Sequence, residues 1–396
     1  MSHEKIKVII AGAGIAGLTL AIALRRLPYI EVEVFEQATE LREIGASIAI
    51  SPNGLRSLER LGVLNALEEA IGFRNPSGVP MIFRHWETDE IIREEPFVDV
   101  PLRRHQTARF HRAQLQSALL EHVPPSIIHV KKRIARAEAS DDHVALFFAD
   151  GTSAVGEVLI GADGIHSNIR KTFFPNHRGF PTGKVWLRSA FPYSTVENIP
   201  SLPADSAQWW GPKGAFMASR MGKDLFTTVC NFDLPIDTIK DIQSSQEGSV
   251  EVLRQRFQSY SPVVQALAHA TPYTRAYPNY AGEPLSTWLL EQRVTIAGDA
   301  AHPHGGAFAA GGSLAIDDAY ALFLAFEHAL GRERTCKPTL VEIQCVLAVY
   351  DQTRRPHASK LCTLVLEGLR AQSSITRADD NPIDRVNDKP NATWLS

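Results

Sequence analysis

The first forty residues carry the sharpest hydrophobic pattern in the chain. An unbroken apolar run over residues 8–11 predicts a short strand buried on both faces, and the small-residue stretch Gly12-Ala13-Gly14-Ile15-Ala16-Gly17 predicts a tight turn. Residues 18–26 continue as a Leu- and Ala-rich helix, and residues 31–36 alternate polar and apolar before ending on Glu36. Strand, turn, helix and strand in that order predict a βαβ unit. Its glycines have the spacing of a dinucleotide cradle: Gly12 for the turn, Gly14 for close approach of a pyrophosphate to the helix N-terminus, Gly17 for contact between helix and strand. Glu36, nineteen residues after Gly17, is placed to accept from a ribose hydroxyl.

Further along, helical periodicity over residues 54–67 is followed by a hairpin within 79–93 and an amphipathic helix over 111–120. That helix carries Arg112 in its first turn, where a cation opposes the helix dipole; a phosphate nearby would account for it. Short strands expected at 127–130, 134–139, 143–148 and 157–160 lead into a second strand-to-glycine junction, Gly161-Ala162-Asp163-Gly164. Between about 180 and 284 the pattern changes to alternating strands, at 185–191, 207–210, 215–220 and 225–232, followed by helices at 249–260 and 262–269. A buried run at 294–298 then meets Asp299 and a small-residue loop over 300–312, before a long helix over 313–330. Helices are expected at 338–354 and, after an interruption at Pro356, at 357–371.

Composition narrows the partners. A chain of 396 residues accommodates two domains, and a net charge of −3 argues against nucleic acid or an anionic membrane surface as partner. Cys230, Cys336, Cys345 and Cys362 have no CxxC spacing, which points to reduced thiols in a cytoplasmic setting, with no disulfide frame, no clustered histidines and no metal site. The apolar segment 8–24 is shorter than the roughly 20 residues a membrane span needs and is broken by glycines, so neither stable membrane association nor a targeting signal is expected.

Three separated motifs now stand together: Gly12-x-Gly14-x-x-Gly17 with Glu36, Gly161-Ala162-Asp163-Gly164, and Gly298-Asp299-Ala300-Ala301-His302 with its glycine-rich sequel. Together they resemble the single-component FAD-dependent aromatic hydroxylases, the salicylate and para-hydroxybenzoate hydroxylase family, over about residues 5–372. The resemblance implies an α/β fold: a Rossmann-like FAD-binding domain from residues 1–77, 103–178 and 286–371 with C-terminal helices, an inserted mainly antiparallel β-sheet substrate domain from 78–102 and 179–285, and a polar tail at 372–396. It places Gly12, Gly14, Ala16, Gly17 and Glu36 on the ADP half of FAD, Arg42, Ala46 and Arg112 toward its phosphates and ribityl region, and Asp163 near the pyrophosphate. Asp299 would hold the ribityl chain, and Gly311 and Gly312 would begin a helix whose N-terminus faces the flavin pyrimidine edge. NADH or NADPH would reduce the flavin transiently, since the chain has no second dinucleotide fingerprint, and O2 would be co-substrate.

The same resemblance implies a flavin C4a-hydroperoxide that hydroxylates an electron-rich phenol or aromatic acid. A flavin oxidoreductase that inserts no oxygen is the alternative on the same fold. His304, in the loop after the third motif, and Arg220, on a strand of the expected substrate sheet, are the candidates for assisting the substrate's proton or clamping its anion. His302, inside the motif, reads as structural. The chain departs from the family at Gly306, where a proline is common, and in the segment 211–220, which lacks the Tyr-Pro of salicylate-type relatives. Monomer and homodimer are both open.

Overall fold

The computed structural model describes residues 5–41, 47–97, 99–306 and 309–374. Arg42 and Ala46, and the tail from residue 375 onward, lie outside the described residues.

The first strand, Ile6–Ala11, is central in a six-stranded sheet because it is apolar enough to be covered on both faces. It pairs in parallel with Ile30–Phe35 on one side and with Val158–Gly161 on the other, and Val158–Gly161 pairs in parallel with Val294–Ile296. The three motif loops therefore leave the same end of one sheet, where ligands of open α/β folds bind. Helix Ile15–Leu24 is buried along its whole length, as expected of a helix apolar all round. It packs against the long helix Gly311–Leu330 in the larger of the two main hydrophobic cores.

An eight-stranded sheet forms the second layer, in the order Gln246–Gly248, Thr274–Ala281, Phe180–Pro192, Leu225–Asp233, Gly214–Met221, Ala207–Gly211, Ile82–His85 and Ile91–Glu94. All its pairings are antiparallel except Ala207–Gly211 with Ile82–His85. One face, carrying Val185, Leu187, Phe216, Ala218 and Cys230, packs on Phe257, Val264 and Leu267 of two helices to make a second core. By strand alternation the other face carries Trp186, Arg188, Val229 and Tyr277. That face turns toward the first sheet's domain: Thr227, which shares it, donates from Oγ1 to Ser47 Oγ at 3.2 Å.

Pro356 does not interrupt the last helix, which runs unbroken from Leu340 to Ser374. Gln352 and Pro356 are both exposed, so the carbonyl that proline leaves without a donor can be hydrated. Just upstream, Tyr350 donates to Ile296 O at 3.1 Å and Asp351 accepts the Trp288 N–H at 2.6 Å, which anchors the helix through the proline. No helix among the described residues is long and apolar enough to cross a membrane.

Candidate functional site

The cradle begins where Gly12, at φ +103°, turns the chain off the first strand and donates its N–H to Phe35 O at 2.8 Å. A Cβ on Gly17 would stand 1.9 Å from the Gly12 carbonyl oxygen, so helix and strand approach as only glycine allows, whereas a Cβ on Gly14 would meet nothing within 4 Å. Gly14 therefore faces open space at the start of Ile15–Leu24, where backbone N–H groups are available to an anion. Glu36 accepts the N–H of Ala13 and that of Ala38, each at 2.8 Å, and its carboxylate keeps lone pairs for a sugar hydroxyl. Ala16 is buried beside Gly298, so the first and third motifs touch.

Asp163 closes the second motif. Its Oδ2 accepts the N–H groups of Asn168 at 2.7 Å and Ile169 at 3.2 Å, while Oδ1 is buried without a partner. Burial pushes its carboxyl above the ordinary range, against the pull of those hydrogen bonds. Arg170, which sequence reasoning did not single out, ties this loop to the third motif: it is buried and donates to the carbonyls of Ile165, Asp299 (3.2 Å) and Ala300 (2.7 Å). Arg112 is the first residue of helix Arg112–Leu120, directly after strand Ala108–His111.

The third motif is built on a carboxylate that the sequence reading also missed. Asp318, fully buried on helix Gly311–Leu330, accepts from Gly298 N at 2.9 Å and His302 Nε2 at 2.6 Å on one oxygen, and from Arg354 Nε and Nη2 at 3.1 and 2.9 Å on the other. Burial alone would raise this carboxyl; His302 and Arg354 outweigh it and hold the pKa at about 2. The only signal in the sequence was an acid pair, Asp317-Asp318, in an otherwise apolar helical stretch. Asp299 is exposed at the turn this network fixes.

His304 is buried with neither ring nitrogen hydrogen-bonded. Its Nε2 lies 3.1 Å from where a Gly311 Cβ would stand, at the N-terminus of the long helix, and burial lowers its pKa, with Asp299 opposing. Asp299, His302 and His304 each bring one ligand atom within 4.8 Å of the others, a cluster that the sequence reading did not foresee when it expected no metal site. Gly312 backs onto Ile48, its would-be Cβ 2.7 Å from that side chain. Arg220 lies on the strand face of Phe216 and Ala218; it pairs with Asp224 at 3.1 Å and stacks over Tyr193 at 4.2 Å.

Gly306 has φ +68°, a conformation closed to proline. Gly306→Ala has room for its methyl and should cost only about 1 kcal/mol, from the left-handed backbone. Gly306→Pro should rearrange the loop and lower FAD content; thermal melts with flavin quantification compare the two, and equal behaviour would contradict this account.

These features fit FAD: an open glycine at a helix N-terminus, a buried carboxylate oxygen without a donor, and a second helix N-terminus converging on one sheet end. The chain is similar to 6-hydroxynicotinate 3-monooxygenase of Pseudomonas fluorescens, 26% identical over 90% of this chain and 89% of that protein. It is 30% identical to FAD-dependent urate hydroxylase of Klebsiella pneumoniae over 81% of each chain. Its fold superposes on a salicylate hydroxylase substrate complex with a TM-score of 0.80, at 20% identity, covering 98% of this chain and 94% of that one. The FAD binding domain family matches residues 5–364, and the chain belongs to it.

Proposed function

We propose that the protein is an FAD-dependent monooxygenase that hydroxylates a small electron-rich aromatic compound, using NADH or NADPH as transient reductant and O2 as co-substrate. The observation that carries this reading is how the cofactor loop meets the second sheet. His304 bridges to Ala281, and Gly282 N–H donates to Pro303 O at 2.8 Å, so the loop after Asp299 is stitched to the sheet whose inner face is rich in aromatic side chains. FAD bound along the three motifs would supply electron transfer and oxygen activation there.

The chain's own contribution is placement, dryness and charge. With FAD bound, Asp299 would hold its sugar chain, and the helix N-terminus at Gly311 would stabilise negative charge on its ring system. His304, kept neutral by burial, is the group positioned to take a proton from a phenol. By strand alternation Trp186, Tyr277 and Trp210 share the inner face of the sheet, where they would help to keep water from the bound substrate. The aromatic compounds for which similar proteins are named set the class tested: phenolic acids, hydroxypyridine carboxylates and oxidised purines. Purified protein should be yellow, and one of these compounds should stimulate NAD(P)H and O2 consumption with one hydroxyl appearing in the product. Colourless protein that FAD cannot reconstitute, or NAD(P)H loss without an oxygenated product, would overturn the reading.

A further inference from the structure

We infer that Arg188 and Trp186 form the recognition site for a carboxylate on the aromatic substrate. The inference rests on the hydroxylase reading and narrows its substrate class.

Arg188 sits in the middle of the long strand Phe180–Pro192, on the face opposite the second core. Its guanidinium has no hydrogen bond and no ion pair among the described residues, and its Nε is buried without an acceptor. Two aromatic rings flank it instead: its Cζ lies 5.7 Å from the Trp186 ring centroid and 5.4 Å from that of Tyr277. Burial lowers the Arg188 pKa, and the like charge of Arg112 adds to that effect. Beside Arg188 the Trp186 Nε1–H is also buried without an acceptor.

Arg188 is half-buried with its Nε shut from water; drawing a guanidinium partly out of water without an anion is costly, and a fold keeps one where something else provides the counter-charge. Structural arginines elsewhere in this chain show the contrast. Arg74, Arg109 and Arg170 are buried and Arg354, like Arg188, is half-buried, yet each of the four donates to a carbonyl, a hydroxyl or a carboxylate. Arg188 and Trp186, two residues apart on one strand, present two unspent donors side by side between apolar ring faces. An aryl carboxylate matches that arrangement: its oxygens accept from both donors and its ring packs on the aromatic side chains. Arg220, the cation singled out from sequence, lies on the other face and already holds Asp224.

The test uses FAD-loaded enzyme and reads binding from the change in flavin absorbance, independently of turnover. The probes are hydroxybenzoates and hydroxypyridine carboxylates, each paired with its neutral carboxamide. Wild-type protein should bind the best acid at least about 30-fold more tightly than its amide. Arg188→Gln should weaken the acid about 100-fold, leave the amide within about threefold, and retain flavin, whereas Arg188→Lys should recover about a tenth of the lost affinity. Trp186→Phe, which keeps the ring and removes the donor, should cost the acid about five- to tenfold. Equal binding of acid and amide by wild type, an acid preference that survives Arg188→Gln, or loss of flavin from that variant would each overturn the inference. Arg188-dependent binding of an acid that is never oxygenated would support the carboxylate site and overturn the hydroxylase reading. Hydroxylation of neutral aromatics, indifferent to Arg188, would do the reverse.

Discussion

Gly17→Ala should abolish FAD retention and destabilise the apoprotein, although it adds a single methyl group. The new Cβ would stand 1.9 Å from the Gly12 carbonyl oxygen and 2.9 Å from its carbon, both backbone atoms at the end of the central strand. Gly12 cannot yield: its N–H is held by Phe35 O at 2.8 Å, and its own would-be Cβ position is already 2.4 Å from the O of Ala162, just past the neighbouring strand Val158–Gly161. Relief therefore requires the helix Ile15–Leu24, buried on every side, to lift off the sheet. Ordinary overpacking costs about 1–3 kcal/mol; a clash with fixed backbone should exceed it, lowering the apoprotein melting temperature by about 5–10 °C. Gly14→Ala makes the contrast. Its methyl points into open space within the protein fold, so the apoprotein should melt within about 1 °C of wild type. It stands where the pyrophosphate must approach, so FAD affinity should fall about 30- to 100-fold, or roughly 2–3 kcal/mol. Apoprotein melts and fluorimetric FAD titrations separate the two effects, and two variants with the same melting behaviour would refute the assignment of the glycines.

The difference between what was legible in the sequence and what was not follows the range of the interactions. Gly12, Gly14, Gly17 and Glu36 could be read because turn, helix start and strand end lie within one βαβ unit, whose geometry is local. Asp318 and Arg354 could not, since their meeting with His302 and Gly298 depends on how two long helices pack behind the loop. The face on which Arg188 lies was not legible for a related reason. Alternation along residues 185–191 divides that strand into two faces, but only the pairing with Leu225–Asp233 and Thr274–Ala281 shows which face meets the helices and which meets the cofactor domain. Arg220 belonged to the wrong parity for the inner face, which its isolated strand could not reveal. Pro356 is the opposite case: a sound local rule for ending a helix gave way to anchors at Tyr350 and Asp351 formed with residues far back in the chain.

The network behind the loop makes Asp318→Asn the substitution with the largest expected effect on both stability and cofactor binding. Four donors converge on this carboxylate, from Gly298, His302 and Arg354, and it is wholly shielded from water. An amide in its place keeps one acceptor oxygen but aims an NH2 group at donors, and it leaves the Arg354 guanidinium buried without its anion. Breaking a buried pair in this way costs about 3–5 kcal/mol. The Gly298 turn loses its tether as well, so Asp299 should no longer be held for the cofactor and FAD should dissociate on gel filtration. The acid limb of stability provides a second reading. The folded carboxyl is held at about 2, below its ordinary 3.8, so the fold favours the charged form. Its contribution, roughly 2 kcal/mol, is present above the unfolded value and is lost as pH falls from about 4 toward 2. Wild-type stability should therefore drop across that window, and the Asp318→Asn curve should lie lower at neutral pH but be flatter there. Asp163, whose carboxyl burial raises, acts in the opposite sense in both proteins and cancels in the difference, whereas Asp317, raised by burial and further by the Asp318 charge, is raised less in the variant. Denaturant titrations of the apoproteins between pH 7 and about 2.5 would measure it. Parallel acid limbs would show that the Asp318 charge is not what holds His302, Gly298 and Arg354 together.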